Sequence, residues 1–429
     1  MTTSEFILQH RLSNPRDLAL QTRRYPDVDM PYALNQIQGW QTARQKLPSW
    51  ASCDGVVYPP HLNMEQCSSE PTARYKQEVA LRWLKKLGVG HGGATTSMAD
   101  LTGGFGVDFS FTSRCFASAT YVERNAALCD VVSGNLPRLG ISNANVVCAE
   151  AEDYLATMPQ QTMLFLDPAR RDEHGAKTVL IADCTPDVCR LLPQLMSKAR
   201  FVMLKLSPML DWHKAIADLK GTVDEVHIVS VGGECKELLL VLAGKVSVSS
   251  VDSGSLENGV RVYCVDIMPK AEADGEYKRS EFCYTIGGAA DNPPTLNPQP
   301  STLNSQLSTL NSQFLFEPNA SIMKAGCFAE LSQVYGVEAI GPNSHLFVSS
   351  GRVEQFPGRK FAIEAVCTLN KRQLKQTLGT LKQANIAVRN FPMSVAELRK
   401  RLKLRDGGDT YIFATTTMEG EHVLIICRK

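Results

Sequence analysis

No stretch of this 429-residue chain approaches the ~20 consecutive apolar residues needed to span a bilayer. The opening residues, Met1-Thr2-Thr3-Ser4-Glu5, show no basic stretch followed by an apolar segment, so no secretion signal is read there. Both absences point to a cytoplasmic protein with no membrane partner. Cys-x-x-Cys pairs are also missing. The 13 cysteines, an odd number, are scattered from Cys53 to Cys427. The closest two, Cys184 and Cys189, have no His cluster beside them. This argues against a disulfide framework and against a metal site, and predicts reduced, mostly buried thiols. Charge is absent between Asn292 and Phe316. Here the unit Thr295-Leu296-Asn297-Pro298-Gln299-Pro300-Ser301 is nearly repeated from Thr302 and again from Thr309. A single strongly apolar residue per period and the interrupting prolines exclude a coiled coil. Residues 292–313 read as a disordered low-complexity insertion.

What is present suggests about two to three domains on an α/β plan. Hydrophobic content is 44% and charged content 21%, ordinary for a globular protein. The net charge of +1 hides an asymmetry. From Leu346 to Lys429 there are 15 Lys and Arg against 7 Asp and Glu. A basic module joined to a mildly acidic remainder predicts a polyanionic partner, nucleic acid first. Residues 1–90 look helical. Ala33–Trp40 has helical apolar spacing, and Ser68-Ser69-Glu70-Pro71-Thr72 reads as a helix start with Ser or Glu as cap.

Residues 91–245 alternate strand and helix, the pattern of a parallel sheet covered on both faces. Strands are expected at Ser97–Leu101, Ala119–Val122, Asn145–Cys148, Met163–Leu166 and Phe201–Leu206. Glu225–Val231 and Leu238–Ala243 are then separated by a link too short for a crossover, so they must form an antiparallel hairpin. Five parallel strands ending in an antiparallel hairpin make a seven-stranded, Rossmann-like class I methyltransferase sheet. Residues 346–429 alternate again, as a small βαβαββ module with a helix over Ser394–Leu402 capped by Ser394 and Glu397.

Ala99-Asp100-Leu101-Thr102-Gly103-Gly104-Phe105-Gly106 is the stretch that carries most chemistry. An acidic residue ends a strand, and a glycine-rich turn then lets the backbone pass close to a ligand. Glu123, Glu150 and Asp167 end the next three strands. Together they are expected to hold S-adenosylmethionine. Gly104 and Gly106, with Thr102 and Phe105 in the same turn, would lie under the methionine part. Asp100 would face the ammonium and sulfonium. Glu123 is placed for both ribose hydroxyls, Glu150 for the adenine amine, and Asp167 for the crevice where strand order reverses. A nicotinamide fingerprint would need a third glycine at position 109, where the chain has Phe109. In Asp167-Pro168-Ala169-Arg170-Arg171-Asp172, the proline fixes the loop direction. Asp167 is expected to orient the substrate or accept from a target amine. Arg170 and Arg171 are expected to hold a phosphate or carboxylate, unless the loop is simply salt-bridged with Asp172 and Glu173. Catalytic roles therefore fall on Asp167, Pro168 and Arg170.

Between Lys371 and Arg405 lie ten basic residues and one acid, Glu397. Arg389, Arg399, Lys400, Arg401 and Lys403 are expected to contact RNA phosphates, with Phe391 stacking on an unpaired base. The bland alternative is a solvated helical face with Phe391 in the core.

Gln66–Lys76, the Asp100 turn, Asp167–Asp172 and Gly233-Glu234-Cys235-Lys236-Glu237 resemble the class I methyltransferases with a C-terminal THUMP-like domain of the Bacteroidetes. Phe391-Pro392, Leu398–Leu404 and Gly407–Tyr411 resemble that domain itself. The resemblance implies a small ferredoxin-like domain over 246–345 and a THUMP-like domain over 346–429. THUMP domains bind RNA, so it also implies a methyltransferase acting on an RNA base by direct transfer, any structured base being flipped out. Exocyclic-amine methyltransferases carry an aromatic where this chain has Ala169 and Arg170. Uracil-5 methyltransferases need a Cys after the fifth strand, where this chain has Lys205-Leu206-Ser207-Pro208. Two other readings stay open: a non-catalytic RNA-binding or assembly protein, and a methyltransferase of a small molecule or protein.

Overall fold

The structure is a computed structural model that describes residues 1–89, 95–170, 180–243, 259–271, 275–287 and 313–429. The expected insertion, Gln313 apart, and Arg171 with Asp172 and Glu173 lie outside the described residues. The chain divides into two compact units. One comprises Met1–His227, Lys236–Leu256 and Pro269–Tyr277; the other comprises Ile228–Cys235, Glu257–Met268 and Lys278–Lys429.

In the first unit six helices precede any strand: α1 (Thr3–His10), α2 (Pro15–Ala19), α3 (Met30–Lys46), α4 (Pro48–Ala51), α5 (His61–Gln66) and α6 (Glu70–Lys86). Their starts are written in the sequence. Asn14 accepts from the Arg16 N–H ahead of α2, and Asp29 from the Tyr32 N–H ahead of α3, each with a proline in the first turn. The start of α6 differs from expectation. Ser69 stands at the cap position without a capping bond. The Glu70 carboxylate instead accepts from the Ser49 N–H at 2.8 Å and pairs with Arg74 at 2.7 Å, tying α6 to α4.

The sheet strands are β1 (Ser97–Asp100), β2 (Ser118–Glu123), β3 (Ala144–Cys148), β4 (Gln161–Leu166), β5 (Ala199–Leu206), β6 (Val223–Val231) and β7 (Glu234–Leu242). Their order is β6-β7-β5-β4-β1-β2-β3. β3, β2, β1, β4 and β5 are mutually parallel, and β7 is antiparallel to β5. Helices α7 (Val107–Thr112), α8 (Ala126–Arg138), α9 (Ala151–Thr157), α10 (Val188–Lys198) and α11 (Trp212–Asp218) fill the connections. With both faces covered, the central strands become continuous apolar runs, and β4 is buried along its whole length. Reversal between β1 and β4 puts the carboxyl ends of β1, β2 and β4 around one crevice.

The second unit begins at Ile228, within β6, and takes in the turn of the β6–β7 hairpin, which is tighter than the sequence suggested. Only Gly232 and Gly233 separate the strands, both at positive φ (61° and 85°), as a two-residue hairpin turn requires. Within this unit β8 (Val260–Ile267) lies beside the end of β6, with Ser230 Oγ donating to Val265 O at 3.2 Å, and pairs antiparallel with β9 (Arg279–Ile286). A separate seven-stranded sheet follows. It contains β10 (Phe314–Pro318), β11 (Glu338–Ala339), β12 (Phe347–Ser349), β13 (Gly358–Thr368), β14 (Asn385–Arg389), β15 (Thr410–Thr416) and β16 (His422–Arg428), ordered β11-β12-β10-β13-β16-β15-β14. Helices α12 (Ala320–Ala325), α13 (Phe328–Tyr335), α14 (Lys371–Leu378) and α15 (Val395–Leu402) connect them. The capping box of Ser394 and Glu397 is present at α15. No helix among the described residues is long and apolar enough to cross a membrane.

Candidate functional site

The crevice is built by the turn from β1 to α7. Leu101 N–H donates to Phe165 O at 3.0 Å and Gly103 N–H to Val122 O at 2.9 Å, so the turn is stitched to β4 on one side and β2 on the other. Asp167 N–H donates to Thr102 Oγ1 at 2.6 Å, locking the loop after β4 to the same turn. Gly103 is required because a Cβ there would fall 2.1 Å from the Tyr121 ring. Tyr121 in turn donates its hydroxyl to Gly104 O. Gly104 and Gly106 take positive φ (55° and 79°), which fits the chain's choice of residue. A Cβ on Gly104 would meet only Thr102 O, at 3.9 Å, so its missing side chain leaves the crevice open.

A cavity of about 300 Å³ opens here. It is lined by Asp100, Thr102, Gly104, Phe105, Gly106, Glu123, Glu150 and Asp167, so every residue expected to bind the cofactor is gathered at one place. Their contacts differ. Glu123 accepts the Gly104 N–H on one carboxylate oxygen (3.0 Å) and the Asn125 N–H on the other (2.9 Å), leaving lone pairs on both. Asp100 is buried and accepts the Thr102 N–H at 3.0 Å. Burial drives its carboxyl well above the usual range, assisted by the nearby acids Asp108, Asp167 and Glu123 and opposed by that one N–H. The Phe105 ring is turned into the N-terminal helical core against Trp50, 4.9 Å between centroids, so only its backbone serves the cavity. Glu150 stands at the N-terminus of α9. Pro168 is buried, and Ala169 and Arg170 form a two-residue ladder with Cys184 and Thr185.

Sequence reading missed the charges beneath the cavity. Lys76, fully buried on α6, lies 2.9 Å from Asp108 and 2.7 Å from Glu237 on β7. Ser68 donates to Asp108 at 2.7 Å. Lys205, at the end of β5, contacts Asp167 and lies 4.0 Å from Asp108. Burial opposes the charge on Asp108, but Lys76 and Lys205 outweigh it and hold the carboxyl below its usual value. Glu237 has a single lysine in contact, so burial prevails and its carboxyl is raised. Burial likewise opposes the Lys205 ammonium, yet Asp167, Asp108 and Glu237 raise its pKa and keep it protonated. A local signal for Lys76 existed: it lies on the face of α6 that also carries Ala73, Val79 and Ala80, all buried. Its partner Glu237 ends the Gly233–Glu237 stretch already singled out, but nothing local pairs the two across 161 positions.

In the second unit the six residues expected to contact RNA separate into two groups. Arg389 donates to Glu317 at 2.8 Å, Arg399 pairs with Asp406 at 2.6 Å, and Phe391 packs on the β14–β16 core with its ring 5.4 Å from His422. Lys400, Arg401 and Lys403 are exposed on and just after α15. Among the described residues no group of three or more His, Cys, Asp or Glu is arranged to hold a metal.

Strand order, glycine turn and strand-end acids define a class I methyltransferase architecture. The chain is similar over 93% of its length to a crystal structure of a "putative methyltransferase" from Porphyromonas gingivalis W83, with 28% identity, 90% of that chain covered and a TM-score of 0.74. Residues 358–429 match the THUMP domain-like family and residues 314–357 a ferredoxin-like domain family, in agreement with the resemblance read from the sequence. Weaker overlaps join a type I restriction-modification methyltransferase subunit (13% identity, 47% of each chain, TM-score 0.31) and an rRNA methylase (12%, 41% of this chain and 98% of that one, 0.29), both from Streptococcus thermophilus. At such scores neither bears on this chain's activity. No curated protein matches the chain.

Proposed function

We propose that this protein transfers a methyl group directly from S-adenosylmethionine to RNA. The single observation behind the donor is the carboxylate of Glu123, pinned by two backbone N–H groups beside an open Gly104, with Asp100 and Asp167 on the same rim. Six acids and two bases line the cavity, a balance that suits a cationic donor. Glu123 would take the ribose hydroxyls, Glu150 the adenine amine, and Asp100 the ammonium. The bound sulfonium supplies a methyl carbon on an excellent leaving group, so the chain needs to aim and desolvate more than to react.

RNA follows from the basic THUMP-like module, where Lys400, Arg401 and Lys403 remain exposed for phosphates. Arg389 and Phe391 would then act by shaping that surface, and Arg399 by bracing it. The reading divides the chain into a helical region (1–90), a methyltransferase domain (91–245), a ferredoxin-like domain (246–345) and the THUMP-like domain (346–429), working in the cytoplasm. A base was the acceptor expected from sequence. The aromatic rings among the described lining residues, Phe105 and Phe165, are 4% and 1% exposed, so they offer no stacking surface.

Mass spectrometry of modified nucleosides from a strain lacking the protein tests the reading. One methyl mark should be lost, then restored by the wild-type chain and not by Asp167→Ala. An unchanged set of methylated nucleosides would contradict it.

A further inference from the structure

Donor binding leaves one feature of the cavity unexplained: an ammonium stands in a pocket that has to accept a cation. Lys205 lines the cavity with its side chain 12% exposed, in contact with Asp167, whose own side chain is 39% exposed. Behind them Asp108, Ser68, Lys76 and Glu237 form a buried chain of contacts at 2.7–3.1 Å, so the pair is held from below. The neighbouring carboxylates keep Lys205 protonated against the cost of burial. A protonated lysine donates and never accepts, while a carboxylate accepts and never donates.

Whatever atom sits against this pair meets a donor and an acceptor together. A hydroxyl satisfies both, because its oxygen accepts from Lys205 while its O–H donates to Asp167. A ring nitrogen carrying a lone pair only accepts. An exocyclic amine, its lone pair shared with the ring, only donates. The lactam edge of a base divides the two functions between two atoms and calls for a stacking ring, which the described wall does not offer. RNA carries a hydroxyl of this double character on each ribose.

Resting on the RNA methyltransferase reading, we infer that the acceptor is a ribose 2′-hydroxyl oxygen held between Lys205 and Asp167, the two catalytic residues. As that oxygen bonds the methyl carbon, the carbon–sulfur electron pair stays on sulfur and the hydroxyl proton must leave. It passes along the hydrogen bond to the Asp167 carboxylate and from there to water. Lys205 keeps its own proton throughout, orienting the oxygen and offsetting the negative charge that builds on it.

The test uses the full chain, RNA from a strain lacking the protein, and S-adenosylmethionine with an isotopically labelled methyl. After digestion the label should appear in 2′-O-methyl nucleosides. Lys205→Met and Asp167→Asn should lower transfer by roughly a hundredfold or more. Lys205→Met should bind S-adenosylhomocysteine within about threefold of wild type in calorimetric titration, a change under 1 kcal/mol. Lys205→Arg, which keeps the charge, should retain the fold and more transfer than Lys205→Met. If Lys205→Met fails to fold, Lys205→Arg and Asp167→Asn carry the comparison. Label on a base overturns the hydroxyl assignment and leaves the RNA reading standing. Absence of label from every RNA overturns both. Loss of S-adenosylhomocysteine binding in step with transfer in Lys205→Met would make Lys205 part of the donor site and overturn the assignment.

Discussion

Single residues set the proposed donor site, and each has a specific cost of change. Gly103 packs against the Tyr121 ring, so Gly103→Ala must displace a buried ring that also bonds Gly104 O. The expected penalty is about 1–3 kcal/mol of stability, with weaker S-adenosylhomocysteine binding, read by thermal melts and titration. Glu123→Ala removes an acceptor without disturbing the core. Two lost ribose hydrogen bonds should weaken S-adenosylhomocysteine binding about 10–100-fold, and unchanged affinity would refute the ribose assignment. The acids were legible because each ends an apolar run. Their differing roles were not. Phe105 looks like part of the turn in sequence, yet its ring belongs to a core that only folding assembles around Trp50.

At the scale of elements, α6 is bolted to the β6–β7 pair by buried charge. Trp83 donates to Glu225 at 2.8 Å, and His227 lies 3.4 Å from the same carboxylate. Burial would raise Glu225, but His227, Trp83 and Arg82 together bring it from 4.5 down to about 2. A depressed carboxylate stabilises the fold above its unfolded value and loses that contribution as acid titrates it. Stability should therefore fall between pH 4.5 and 2 by up to about 3 kcal/mol. Glu225→Gln should flatten the melting curve over that window; an equally steep acid limb would contradict the account. Lys76→Met leaves Asp108 and Glu237 facing each other without their shared cation. A loss of about 3–5 kcal/mol is expected, on the order of 10 °C in melting temperature. Strand and helix periods were readable along the chain because burial writes them locally. Pairings such as Lys76 with Glu237 were not, since each partner stands among other charges, Arg74 and Glu78 around one and Glu234 and Lys236 before the other, and nothing local marks which of them is buried.

For the whole molecule, the distribution of charge along the sequence sets the basic C-terminal portion apart from the rest. The separation holds at the surface only in part. Arg389 and Arg359 both converge on Glu317, and Arg399 is spent on Asp406 and Ala384 O, while Lys400, Arg401 and Lys403 face solvent. Composition counts charges and cannot tell a braced arginine from a free one. Lys400→Glu with Arg401→Glu should weaken RNA binding at every sequence and reduce the slope of log affinity against log salt by about 2. Unaltered binding would remove α15 from the RNA surface. The claim on which all of this depends is that the strand-end acids enclose a sulfonium nucleoside. A crystal structure of the full chain grown with saturating S-adenosylhomocysteine tests it most directly. The account predicts the ribose hydroxyls on Glu123 with the ligand's chain passing Gly104 toward Asp100; an empty cavity, or the ligand bound elsewhere, would contradict it.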